Sequence, residues 1–248
     1  MPESKSNKKE KVFPLQLIVV GSGGTGTYFL KEVSRYLARL GKKNLFKDFS
    51  IYDGDTVEKK NLDRQCFMDD DIGRNKACVM AEILSDAFSI PWKSYPLYVT
   101  KKKDIRLNKN YIPVVIGTVD NHAARMVMEE LFNTLDCIFY LDSANEYSSG
   151  EVIFSGKLNG KVISPLRSYY FPEIKKPEKA RTEMSCTELN MAAPQHIKTN
   201  MAAGNILLCE LTNLIEGHFH GGMVCFDTAR YYQEFIPYAV NAPSKEVS

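Results

Sequence analysis

The chain has no apolar run approaching the ~18 residues that a bilayer-spanning helix needs, so no membrane segment is expected. It also lacks the apolar core of a secretion signal. Its start, MPESKSNKKEKV, is polar and Lys-rich, and residues 1–14 read as a solvated basic tail. An excess of one charge is missing too. With 32 Lys and Arg against 30 Asp and Glu, the formal net charge is +2, too weak a field to argue for a nucleic-acid partner. No two of the six cysteines (Cys66, Cys78, Cys137, Cys186, Cys209 and Cys225) form a C-x-x-C pair, so no structural zinc of the usual spacing is expected. Nothing suggests a disulfide framework, and the thiols read as reduced in a cytoplasmic protein. There is no internal repeat.

The 248 residues, 44% hydrophobic and 25% charged, can bury a sizeable core. Apolar runs at Leu17–Val20, Phe49–Tyr52, Tyr95–Val99, Val114–Gly117 and Ile138–Leu141 alternate with helical patterns at Tyr28–Leu40, Asn75–Phe88 and His122–Leu135. That alternation predicts βαβ units with right-handed crossovers, hence an α/β, Rossmann-like, doubly wound and mainly parallel sheet. After Gly150, Glu151–Ser155 and Lys161–Ser164 flank Asn159-Gly160, a hairpin signal that predicts an antiparallel extension. A Pro-, Lys- and Glu-rich stretch from Tyr169, about 169–185, predicts a loop crossing the face of the sheet. Pro194–Ile215 then predicts a long helix, and Met223–Phe226 and Tyr231–Ile236 two late strands. One domain over 15–240 is expected, with 241–248 as a frayed end.

The chemistry concentrates early. Gly21-Ser-Gly-Gly-Thr-Gly26 follows an apolar strand and opens an amphipathic helix, the context in which glycines let backbone N–H groups approach a phosphate. Such a turn suits NAD, FAD and ATP alike. Asp53 ends the second strand, where an acid in this architecture accepts hydrogen bonds from a ribose. Arg64 and Lys76 follow it, and fixed cations there suit a reaction at a triphosphate, in which charge grows on phosphoryl oxygens. Asp120 ends the apolar strand Val114–Val119. It can hold Mg²⁺, which favours one or two carboxylates plus phosphate oxygens, or it can cap the next helix together with Asn121.

The ordered set GSGGTG, DGDTVEKKNLDRQ, IGRNKA and TVDNHAAR resembles the adenylation domain of the ThiF/MoeB/HesA family, relatives of ubiquitin-activating enzymes. The likeness runs from about Leu15 to about Ile236, and its most specific element is Asn-x-x-Arg-Gln. It implies a homodimeric or pseudo-dimeric enzyme that uses ATP and Mg²⁺ to adenylylate the C-terminal carboxylate of a small ubiquitin-like or sulfur-carrier protein. By the same resemblance Gly21, Gly23, Gly24 and Gly26 line the phosphates and Asp53 the ribose. Asn61, Arg64, Gln65 and Lys76 meet the triphosphate, Asp120 binds Mg²⁺ with Asn121 beside it, and Asp55 supports the loop or also touches the metal. The chain departs from many relatives in having no paired C-x-x-C motifs and no Arg before Arg35.

Cys186, in Arg-Thr-Glu-Met-Ser-Cys-Thr, stands where several members of that family place an acyl-accepting cysteine. It reads either as a nucleophile that captures the acyl adenylate as a thioester or as an inert thiol. The other five cysteines lie in or beside apolar elements and read as buried packing residues. His218 and His220 form a His-x-His pair with no third ligand in view, which reads as a helix-to-strand turn. Besides a non-catalytic binding module that keeps the fold and recruits a partner, two other readings remain open. One is an NAD(P)-dependent oxidoreductase, which would use the glycine turn and Asp53 but gives Arg64, Lys76 and Asp120 no common purpose. The other is activation of a peptide or tRNA-base carboxylate on the same architecture.

Overall fold

Leu15, Leu17 and Val19 alternate with Ile18 and Val20 along β1 (Leu15–Val20), and all five are buried, in two separate apolar clusters. A strand buried on both sides must have helices on both faces of its sheet. The computed structural model describes residues 14–176 and 195–238. In it β2 (Phe46–Tyr52) pairs in parallel with β1 and carries β3 (Lys93–Tyr95) outside it; β4 (Ile112–Gly117) pairs in parallel on the other side of β1, followed by β5 (Ile138–Asn145). The sheet continues antiparallel through β6 (Ser149–Leu158), β8 (Gly222–Asp227) and β9 (Tyr232–Pro237), with β7 (Lys161–Ser164) folded back on β6. The spatial order is β3-β2-β1-β4-β5-β6-β8-β9. The expected Rossmann-like sheet with antiparallel C-terminal strands is what the chain forms.

The helices follow the apolar spacing. α1 (Gly24–Leu40) buries Leu30, Val33 and Leu37 on one stripe, and α2 (Lys76–Phe88) buries Ala77, Val79, Met80 and Leu84. Both share the larger cluster with the long C-terminal helix α5 (Ile197–Ile215). α3 (His122–Thr134) packs Met128, Leu131 and Phe132 against the other face. Trp92, the single tryptophan, donates its Nε1–H to Ser34 Oγ at 2.9 Å and meets Phe49 edge-on. Among the described residues, no helix is long and apolar enough to cross a membrane.

The structure departs from the sequence reading at several places. β3 stops at Tyr95, since Pro96 has no N–H for the ladder. The crossing stretch is not wholly loop: a short helix α4 (Arg167–Tyr170) and a 3-10 turn (Pro172–Lys175) begin it. The five cysteines read as buried are not: Cys209 is exposed, and Cys66, Cys78, Cys137 and Cys225 are half-buried, because lying in or beside an apolar element does not decide which side of it faces the core. Cys186, residues 1–13 of the basic tail, the end 241–248 and residues 177–194 of the crossing stretch and helix start lie outside the described residues. The Asn159-Gly160 turn is as expected, with φ of 50° and 75° at the two positions.

Candidate functional site

Strand order reverses at β1, whose neighbours are β2 and β4, and in open α/β sheets such a reversal opens a crevice past the strands' carboxyl ends. The glycine turn sits there. Gly21 has φ of +97°, a conformation that favours glycine, and its N–H donates to Tyr52 O at 2.8 Å. Thr118, just past β4, donates its hydroxyl to Gly21 O at 2.6 Å, so the turn is stitched to both flanking strands.

Asp53 braces the same turn. Its Oδ2 accepts Ser22 N–H at 2.6 Å and the Ser22 hydroxyl at 3.0 Å, while Oδ1 accepts Asp55 N–H at 2.9 Å. Burial pushes its carboxyl up, with the Lys76 charge opposing and the Asp55 charge adding. Lys76 is the first residue of α2 and is 5% exposed. Its Nζ lies 3.3 Å from Asp55 Oδ2, and Asp55 Oδ1 accepts the Tyr98 hydroxyl at 2.5 Å. Asn75 caps α2 through Cys78 N–H and donates its amide to both Asp53 O and Asp55 O at 2.9 Å. This residue ties the acidic loop to the helix that carries Lys76.

These groups wall a cavity of about 360 Å³, which Gly21, Gly23, Asp53, Asp55, Asn61, Arg64, Gln65, Lys76, Asp120 and Asn121 all line. Gly24 and Gly26 sit behind that wall, buried in the first turn of α1. Asn61 is buried and its Oδ1 accepts Glu58 N–H at 2.9 Å, which fixes the 3-10 turn leading to Arg64. Arg64 is half-buried, with Nη1 donating to Gln195 Oε1 at 3.3 Å. Gln65 is 7% exposed, and its Oε1 is buried without a hydrogen-bond partner at the cavity wall.

Asn121 supplies the cap of α3, its Oδ1 accepting Ala124 N–H at 2.8 Å, while Asp120 is exposed to the cavity. A second, larger cavity of about 930 Å³ adjoins the first. Arg64, Thr118, Val119 and Asp120 line both, and Asn145, Glu151, Gln195, Cys225, Arg230 and Tyr232 line the second alone. Among the described residues no three His, Cys, Asp or Glu side chains cluster as a metal centre. A cavity-facing carboxylate at Asp120 still fits Mg²⁺, which takes few protein carboxylates and completes its shell with phosphate oxygens and water. His220 is paired with Glu210 at 3.2 Å, and with His218 it forms the expected turn between α5 and β8.

Sequence reasoning missed Ser22, Asn75, Tyr98, Thr118 and Gln195. Only Asn75 carried a local signal, as an N-cap residue directly before a helical pattern. A buried ionic cluster behind the second cavity was missed as well. Arg167 ion-pairs with Asp142 and with Glu151, the latter at 2.5 Å. Burial works against its charge, and the two carboxylates overcome that and raise its pKa. Nearby Glu129, 2% exposed, accepts Ser168 N–H at 2.9 Å. Burial pushes the Glu129 carboxyl up, its Ser168 hydrogen bonds opposing and the Asp142 charge adding. A carboxyl raised in the folded state binds its proton more tightly there, so stability falls as pH rises through the folded value. Glu129→Gln keeps the acceptor and cannot ionise. It is expected to melt above wild type near about pH 8, with the gap closing below about pH 4, where the unfolded Glu also protonates. Melting curves across that range check this, and a gap that ignores pH would contradict it.

A model of the ThiF family matches residues 1–239. The ubiquitin-like modifier-activating enzyme 5 of Oryza sativa subsp. japonica is 28% identical over 139 residues, 51% of this chain and 31% of its own. The SUMO-activating enzyme subunit uba-2 of Caenorhabditis elegans is 26% identical over 210 residues, 80% of this chain and 31% of its own. The chain thus spans 31% of the length of both relatives. Among solved structures, E. coli MccB with AMPCPP and MccA is similar at a TM-score of 0.67 and 15% identity, covering 93% of this chain and 65% of that one. PaaA is similar at 0.63 and 14%, covering 90% and 64%. At these identities the likeness to the solved structures is one of fold, while the family model spans nearly all the elements described above, and the chain belongs to the ThiF family.

Proposed function

We propose that the chain uses ATP with Mg²⁺ to adenylylate the C-terminal carboxylate of a small ubiquitin-like or sulfur-carrier protein. The observation that carries this is the convergence of Arg64, Lys76 and Asp120 on one glycine-turn cavity, with Arg64 and Asp120 shared by an adjoining cavity. ATP takes the smaller cavity, with Asp53 at the ribose and Asn61, Gln65 and Lys76 along the phosphates. The acyl tail enters through the larger one. The carboxylate oxygen attacks the α-phosphorus, the bond from that phosphorus to the bridging oxygen breaks, and pyrophosphate leaves. Arg64 and Lys76 meet the charge that grows on the phosphoryl oxygens. Asp120, with Asn121 beside it, would hold Mg²⁺, which neutralises phosphate charge when bound.

Cys186 is the proposed acceptor for a second step, in which its thiolate attacks the acyl carbon and AMP departs. A homodimer in the cytoplasm completes the reading. An oxidoreductase has no common use for two cations and an acid at this place, which is why nicotinamide chemistry ranks below adenylylation.

Calorimetric titration with ATP, with and without Mg²⁺, and with NAD⁺ tests the reading. ATP is expected to bind with Mg²⁺, and Asp120→Ala is expected to lose most of the gain that Mg²⁺ provides. Pyrophosphate exchange into ATP with a carrier protein ending in Gly-Gly tests the acyl partner. Binding of NAD⁺ in place of ATP would overturn the whole assignment; exchange with a short peptide but not with the carrier would replace the proposed substrate.

A further inference from the structure

One guanidinium holds both flanks of Asp120. Arg125, in the first turn of α3, is 4% exposed. Its Nη2 donates to Val119 O at 2.6 Å, on the residue before Asp120, and to Ser143 O at 3.1 Å, in β5. Its Nη1 lies 3.3 Å from the ring nitrogen Nδ1 of His122, on the other flank. Its Nε lies 3.4 Å from Asp142 Oδ2, an ion pair without hydrogen-bond geometry. The turn between β4 and α3 is therefore clasped to β5 by a single planar fork of donors, which a point charge could not reproduce. Asp142, 2% exposed, neutralises the buried fork and is shared with Arg167, whose other partner Glu151 lines the larger cavity.

We propose that Arg125 is a positioning residue that fixes Asp120 at the shared rim of the two cavities and thereby sets the affinity for Mg²⁺ in the nucleotide complex, with Asp142 as its anchor. The proposal rests on the role assigned to Asp120 above. A merely structural ion pair between α3 and β5 would need only the charge. The clasp needs the shape of the fork, because three acceptors on different elements are met at once.

Arg125→Lys separates the two, since it keeps a cation beside Asp142 but cannot reach Val119 O, Ser143 O and His122 together. The first readout is amide hydrogen exchange over residues 118–124 in the ligand-free protein. It is expected to quicken about tenfold, the loss of one or two hydrogen bonds, with β1 and the second half of α3 unchanged. The second is the Mg²⁺ concentration at half-maximal ATP binding, expected to rise about tenfold while ATP binding without Mg²⁺ holds. His122→Ala removes one grip without touching the buried pair and is expected to shift both readouts the same way by less. It also carries the test if Arg125→Lys does not fold. Unchanged exchange in these variants, or an equal loss of ATP binding with and without Mg²⁺, would overturn the proposal. If the wild type binds no ATP yet exchange quickens in both variants, the clasp on Asp120 stands and the adenylylation reading falls.

Discussion

Arg64→Ala is expected to lower the rate of ATP–pyrophosphate exchange by ~10²–10³, about 3–4 kcal/mol, the usual cost of removing one donor aimed at developing charge. The melting temperature should barely move. Among the described residues the Arg64 side chain donates one hydrogen bond, at 3.3 Å to Gln195, and a single neutral-acceptor bond at a half-buried site contributes about 1 kcal/mol or less. Arg64→Lys should restore only part of the rate, since an ammonium supplies charge without the fork that can serve both cavities at their junction. Lys76→Ala makes the contrast. Lys76 is buried against Asp55, so its loss leaves two neighbouring acids, Asp53 and Asp55, without that cation, and stability should fall together with rate. Exchange kinetics and melting curves on the same preparations separate the two residues. An Arg64→Ala protein with a near-normal rate would remove this side chain from the chemistry.

How much of this was legible depended on whether the information was local. The apolar run Leu17–Val20 and the helical stripe through Leu30, Val33 and Leu37 state their own burial, and the doubly wound order follows from the alternation of such runs with helical patterns. The Asn159-Gly160 turn states its conformation just as directly. The clasp around Asp120 could not be read in this way. A charged residue in the first turn of a helix ordinarily points to solvent, and only the pairing of β4 with β5 puts Ser143 and Asp142 beside Arg125. Tyr98 meets Asp55 across 43 residues, and Thr118 meets Gly21 across 97, separations at which residue type says nothing about contact. The cysteines failed for a related reason: membership of an apolar segment does not say which side of it faces the core, and Cys209 lies on the outer side of α5.

Two glycines of the same turn are expected to respond to alanine in different ways, although sequence alone makes them equivalent. A Cβ at Gly26 would collide with Gly21 O and come within 3.0 Å of Gly21 C, both backbone atoms of the turn itself. Nothing there can rotate away, so Gly26→Ala should cost about 3 kcal/mol, a fall in melting temperature on the order of 10 °C, and should weaken ATP binding by displacing the turn. A Cβ at Gly24 would instead meet the Asn200 side chain, 2.6 Å from its Cγ. Asn200 is fully buried, accepts Asn145 Nδ2–H at 2.9 Å, and has an Nδ2 without a partner. Gly24→Ala alone should therefore destabilise to a similar degree, but Asn200→Ala removes both the obstruction and the unpaired amide. The double variant is expected to melt above Gly24→Ala, with a coupling of about 1–3 kcal/mol, whereas Asn200→Ala should leave Gly26→Ala unrescued. A four-protein melting cycle for each glycine measures this. Equal rescue of both would mean that the strand–turn–helix junction yields as a unit and that the Gly26 contact with the turn backbone is not what makes glycine necessary there.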